Sequence, residues 1–147
     1  TKALLAAASL MIATTAALAG PADDAIKGRQ TCMKAHGALL KAAMPVVKGE
    51  TAFDAAQMKS LFDAEDAACA DWAKFWGADT QQGETLKTRV KPEIWSDAAG
   101  FEAAGGAWYQ ASQKVRAATD QASLQAAIPA LGESCKTCHE KYRAPEE

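Results

Sequence analysis

The residues with the clearest chemistry lie near the end of the chain, at Cys135-Lys136-Thr137-Cys138-His139. Two thiols three positions apart stand about one helical turn from each other, so one helix face can offer both to the same partner. The imidazole of the next residue then lies beside them. A Cys-x-x-Cys-His run has the spacing of c-type haem attachment, in which the thiols add to the two vinyl groups along one porphyrin edge and the histidine is the proximal iron ligand. The same residue types admit two other chemistries. A redox-active dithiol of the thioredoxin kind opens a helix that follows a strand, and no strand-like run precedes Cys135. A zinc site built on Cys135, Cys138 and His139 needs a fourth ligand, which only His36, Cys32 or Cys69 is left to supply. The leading expectation is one covalent haem c.

Thiol attachment of haem belongs to an exported compartment, and the start of the chain fits that. Lys2 is followed by an uncharged run from Ala3 to Ala19 that ends in the small-x-small pattern Ala17-Leu18-Ala19. Residues 1–19 therefore read as a cleaved signal peptide, residues 20–147 as the mature domain, and the periplasm as the destination. An uncleaved membrane anchor is the weaker alternative, because Thr14 and Thr15 interrupt a short apolar stretch.

The elements that must position the motif are helical. The 147 residues are 49% hydrophobic, enough for a single domain with one core, and they are rich in alanine and poor in runs of β-branched residues. The formal charge is −2; losing Lys2 leaves 15 basic and 18 acidic side chains, or −3. That mild balance gives no reason to invoke nucleic acid, and no basic block suggests membrane attachment.

Helical spacing predicts a first helix over Asp23–Lys48 with Ile26, Met33, Gly37, Leu40 and Met44 on one stripe, acidic residues at its start, Pro45 in its last turn and Gly49 beyond it. A second follows the Asp54 cap, carrying Met58, Leu61, Phe62, Glu65, Cys69, Trp72 and Trp76 down to Gly77. The polar stretch Gly77–Pro92 is the longest loop. A third helix, capped by Ser96 or Asp97, holds Phe101, Trp108 and Val115. A fourth opens at Ser123, buries Leu124, Ile128 and Leu131, and runs to about Arg143, with Pro129 expected to kink or delay it. The sum is an all-α, antiparallel four-helix bundle with the haem near one end.

In such a bundle the early part of the first helix lies beside the end of the last. Met33 stands roughly 15 Å along its helix and Met44 roughly 31 Å, too far up, while Met58 belongs to the opposite end. Met33 and His36 remain as sixth ligands to the iron, three residues apart on one face. Cys32 and Cys69 lie at similar heights in a hairpin of the first two helices, 17 residues before Gly49 and 16 after Phe53. In an exported protein that pair is expected to form a disulfide, contributing on the order of 4 kcal/mol.

The chain resembles the class II cytochromes c, which include cytochrome c′ and its low-spin relatives, over essentially all of the mature sequence. The likeness rests on the C-terminal haem motif with Arg143 four residues after His139, Arg29-Gln30-x-x-Met33, Pro45-Val46-Val47-Lys48-Gly49, and Pro92-Glu93-Ile94-Trp95. It implies a bundle often dimeric through the first two helices, and it places the distal residue at Met33, four after Arg29. Lys34 and Gly37 after that methionine are similar to the low-spin, methionine-ligated branch. The alternative is a five-coordinate haem, with Met33 packing over an open face that takes nitric oxide or carbon monoxide.

Arg29 and Arg143, each one turn from an axial position, are candidates to pair with the haem propionates. Trp72, Phe75 and Trp76 resemble the family's haem-pocket aromatics, while Trp95, Trp108 and Tyr109 are assigned to the core. Lys27, Lys34, Lys136, Lys141 and Arg143 are expected around the haem edge as a basic face for an acidic redox partner. The expected role is a one-electron carrier exchanging with a protein donor and acceptor; no paired acid and base suggests an enzyme. Denaturing the unreduced holoprotein should expose no free thiol, and finding two would exclude the Cys32–Cys69 bridge.

Overall fold

The computed structural model describes residues 20–146. The signal-peptide expectation falls on residues outside these. Helices α1 (Pro21–Val47), α2 (Ala55–Cys69), α4 (Ala98–Arg116) and α5 (Gln121–Tyr142) form the bundle, with a single turn, α3 (Glu93–Ser96), ahead of α4. Among the described residues there is no strand, only an isolated antiparallel bridge between Val90 and Arg143. α1 packs on α2, α4 packs on α5, and α1 also meets α5.

Local chemistry sets the helix ends. Asp54 accepts from the Ala56 and Gln57 amides at the start of α2, and Asp97 accepts from Gly100 at the start of α4. α5 opens two residues earlier than expected, at Gln121, because Asp120 is its cap and Ser123 completes a reciprocal capping box. Pro129 does not delay the helix. It lies on the exposed face, as does Gln125 four residues back, whose freed carbonyl can turn to water. α1 ends where Gly49 takes φ +75°, a left-handed conformation that favours glycine.

α2 stops at Cys69 instead of running to Gly77. Trp72–Trp76 tightens into a 3-10 helix, and the Phe75 carbonyl accepts from Arg29 and the Thr80 hydroxyl instead of continuing a helical ladder. Phe75 is drawn against α1 at Gly28, where a Cβ would run into its ring, so a larger residue there would force the ring to move.

Of the expected stripe of α1, Ile26 is buried, Met33, Gly37 and Leu40 line the cavity described below, and Met44 is 37% exposed; Cys32, Leu39, Ala43 and Val46 are buried beside it. The close-packed core fills only the half of the bundle around the α1–α2 turn: Leu39, Val46, Met58, Phe62, Val115, Leu124, Ile128 and Leu131 form one cluster there. At its edge Glu65 is buried and held by Arg116, 3.0 Å away, which also reaches Asp66 and lies over the Phe62 ring.

The 77–92 loop is short of apolar contacts and is fastened by charge. Asp23, buried at the start of α1, accepts from the Thr85 amide and hydroxyl and from the Leu86 amide, which hold its carboxyl below the usual range. Gln30 donates to the Lys87 carbonyl, and Lys91 and Ala144 amides donate to Tyr142 and Arg89 carbonyls, so the loop is laced to both α1 and the end of α5.

Burial raises the Glu65 carboxyl above its ordinary value, with Arg116 acting in the opposite direction. The folded state therefore holds the Glu65 proton more tightly than the unfolded chain does, and the contribution of this group is most favourable below the ordinary Glu range and declines as pH rises through the raised value. Arg116→Met should cost about 2 kcal/mol at pH 7, discounted for the partial exposure of the arginine, by leaving a buried carboxylate without its partner. Urea unfolding at pH 7 and pH 4 checks this; the deficit should shrink at the lower pH.

Candidate haem site

The other half of the bundle encloses a cavity of about 1480 Å³, lined mainly by apolar surface. The C-terminal third of α5 brings Cys135, Cys138 and His139 to it, and α1 brings Met33 and His36. Burial pushes both motif thiols up, and burial, with help from Arg143 and Arg89, pushes the His139 imidazole down. A neutral imidazole is the form that ligates a metal.

An aromatic cluster walls the site. Trp72 and Trp76 meet edge to face at 4.9 Å, Trp76 meets Phe101 at 4.8 Å, and Phe101 meets Tyr142 at 5.2 Å. Tyr142 donates to Asp97, which also pairs with Lys141, fixing the last turn of α5 to the start of α4.

Several side chains stand elsewhere than expected. Arg29 is 3% exposed, and its two terminal nitrogens donate to the Phe75 and Thr80 carbonyls and the Thr80 and Thr88 hydroxyls. The terminal nitrogens of Arg29 are thus engaged by the loop, and its buried Nε has no partner in the protein. Phe75 does not line the cavity, being packed behind it on Gly28. Trp108 and Tyr109, assigned to the core, line the cavity, and Tyr109 is 54% exposed. The helix faces that meet at the turn end of the bundle part here to leave room. Trp95 donates to the Trp76 and Gly77 carbonyls and is only partly buried.

Lys34 and Arg143 border the cavity, as expected for a basic rim, but Lys27, Lys136 and Lys141 do not line it; Lys136 and Lys141 pair with Glu140 and Asp97. The loop adds two cations that pattern reasoning missed, Lys87 and Arg89. Nothing in a polar stretch marks which of its residues will face the bundle. The Glu65 network was also missed, although a lone acid on the apolar stripe of the second helix was a usable signal.

His36 turns toward the α1–α2 seam. Its ring stacks on Trp108 at 4.4 Å and its Nε2 lies 3.2 Å from Glu65, with burial holding the imidazole down at about 4. Cys32 and Cys69 beside it are joined in a disulfide, Cα–Cα 4.9 Å.

A family profile described as Cytochrome C′ matches residues 24–143. The chain belongs to the cytochrome c′ family. It is 37% identical to cytochrome c′ of Alcaligenes xylosoxydans xylosoxydans over 125 residues, covering 82% of this chain and 94% of that one. It is 30% identical to a cytochrome c-556 of Agrobacterium fabrum over 120 residues, covering 80% of each. Among solved structures it is similar to a nitric oxide complex of a variant of cytochrome c prime from Alcaligenes xylosoxidans, with TM-score 0.72 and 36% identity over 85% of this chain and 97% of that one. Proteins of this family are electron-transfer haem proteins that bind one covalent haem c.

The residues present fit that group. The cavity is mainly apolar and wide, a Cys-x-x-Cys-His run lines it, and three of its lining residues, Arg29, Trp76 and Arg116, each carry a buried nitrogen with no acceptor in the protein. Unpaired buried donors are costly unless a bound group satisfies them, and haem carboxylates are acceptors of the right kind.

Arg29→Gln should cost roughly 2–3 kcal/mol, since it removes charge-assisted bonds to the loop. Thermal unfolding and limited proteolysis of the holoprotein check this: cleavage should rise within residues 77–91 while the reduced haem spectrum keeps its c-type shape.

Proposed function

We propose that this chain is a one-electron carrier of the periplasm, with haem c fixed through Cys135 and Cys138 and held axially by His139 and Met33. The observation that carries the reading is that Met33 on α1 and His139 on α5 line one cavity, while the other axial candidate, His36, which also lines it, has its Nε2 3.2 Å from Glu65 and its ring stacked on Trp108. When bound, the haem supplies one-electron exchange, and a methionine–histidine pair raises its potential relative to histidine alone.

The protein's own part is to hold and insulate. The aromatic wall of Trp72, Trp76 and Phe101 would shield one side of the site from water, and Trp76 and Arg29 would offer buried donors to the acceptors of the group. Lys34, Lys87, Arg89 and Arg143 at the rim favour an acidic partner for electron exchange. Among the described residues no helix is long and apolar enough to cross a membrane. Dimerisation through α1 and α2 follows the family resemblance.

A second reading has specific support. Most of the similar proteins are named cytochrome c′, and nitric oxide complexes stand among the similar structures. In that reading Met33 packs over an open distal face that takes nitric oxide or carbon monoxide, and the chain is a gas-binding module.

Optical spectra in both oxidation states, with and without carbon monoxide, separate the two. Methionine ligation predicts a thioether-to-iron band at the far-red end of the oxidised spectrum, lost in Met33→Ala. If the open form is below a tenth of the wild-type population, Met33→Ala should tighten carbon monoxide binding by ~10-fold or more. A wild type that is high-spin in both states, with carbon monoxide affinity unchanged by Met33→Ala, would leave the gas-binding reading in place.

A further inference from the structure

The Cys32–Cys69 bridge lies beside a third metal-ligating side chain that neither haem attachment nor the distal position uses. The Cys32 and Cys69 sulfurs and the His36 ring nitrogen all lie within 4.8 Å of one another, at the seam of α1 and α2 on the cavity wall. His36 Nε2 is 3.8 Å from the Cys32 Sγ and 3.6 Å from the Cys69 Sγ. We propose that in its dithiol state this cluster is a second metal site, in which Cys32, Cys69 and His36 bind a thiophilic divalent cation of the zinc type.

The distances carry the argument. Zinc bonds of ~2.3 Å to thiolate and ~2.05 Å to imidazole, at the tetrahedral angle, set a sulfur–nitrogen edge of about 3.6 Å. The sulfur–nitrogen separations lie at or within about 0.2 Å of that edge. Opening the sulfur–sulfur bond lets one sulfur swing about its cysteine's χ1 to the ~3.8 Å from the other that two zinc-bound thiolates need, while the sulfur that stays keeps its separation from the nitrogen. The stack on Trp108 fixes the ring that carries the nitrogen. Burial keeps the His36 imidazole neutral near pH 7, which is the ligating form. Glu65 Oε1, 3.2 Å from Nε2, then stands ready to accept from a water in the fourth position, with its other oxygen kept by Arg116.

Export delivers the cysteines as thiols, so two fates compete. In the first, the two thiols lose two electrons and two protons to the disulfide of an exported oxidoreductase, which becomes a dithiol, and the bridge forms. In the second, Zn2+ binds both sulfurs and His36 and two protons leave, with no change of oxidation state. A dithiol reductant returns the first product to the start of the second. The inference is independent of which group occupies the distal side of the haem.

The test uses the holoprotein, in which Cys135 and Cys138 are consumed as thioethers. It is reduced with a phosphine in mild urea, returned without oxygen to native buffer containing zinc chloride, desalted, and assayed for metal by mass spectrometry. The reduced protein should retain about one zinc per chain more than the unreduced protein, and far-ultraviolet dichroism should report the same helicity. His36→Gln, which keeps both thiols, should bind zinc at least ~10–100-fold more weakly. The Cys32→Ser/Cys69→Ser variant, equally unbridged, should retain none. Zinc absent from the reduced protein, or retained equally by the unreduced protein, by His36→Gln or by the double serine variant, overturns the proposal.

Discussion

Two buried charges near the start of α1 anchor the architecture on which the site depends. Asp23 and Arg29 lie on the same helix, both almost without solvent exposure, and each binds backbone groups of a loop that has little apolar surface of its own. A buried ion is costly unless hydrogen bonds satisfy it, and backbone groups of a loop need partners no less. Each side meets the other's need. The polar segment after Gly77 thereby becomes a wall of the cavity, and the alternative, a loop in solvent, would leave a guanidinium and a carboxylate stranded.

The bundle divides along its length into a packed half and an open half. Around the α1–α2 turn, branched and aromatic side chains fill the space between helices as in any core. Toward the other end, small residues of α4, the tryptophans of the 72–76 turn and the aromatics of α4 line the cavity that a haem c fills. Apolar walls, unpaired donors and a covalent anchor on α5 share one logic: the group completes the core of that half.

Glu65, Arg116, His36 and the Cys32–Cys69 bridge occupy the boundary between the halves. Polar groups at such a boundary are neither fully solvated nor left alone; Arg116 compensates Glu65, and Glu65 occupies His36. His36 and Met33, one residue after the bridged Cys32, both line the cavity, and of the two only His36 has a carboxylate partner.

The sequence by itself determined the haem motif, the helical class, the order of the four long helices and the pairing of Cys32 with Cys69. These follow from covalent spacing, helical period and the equal lengths of a hairpin's arms, all of which are local in the chain. Tertiary structure decided what Arg29 binds, why α2 stops at Cys69, which cations reach the rim, and that Trp108 and Tyr109 face a cavity instead of a core. Those outcomes depend on contacts between residues some 46 to 63 positions apart, such as Arg29 with Phe75 and Asp23 with Leu86. A periodic pattern tells which side of a helix is apolar, but it carries no record of whether that side meets a neighbouring helix, a tethered loop or a prosthetic group.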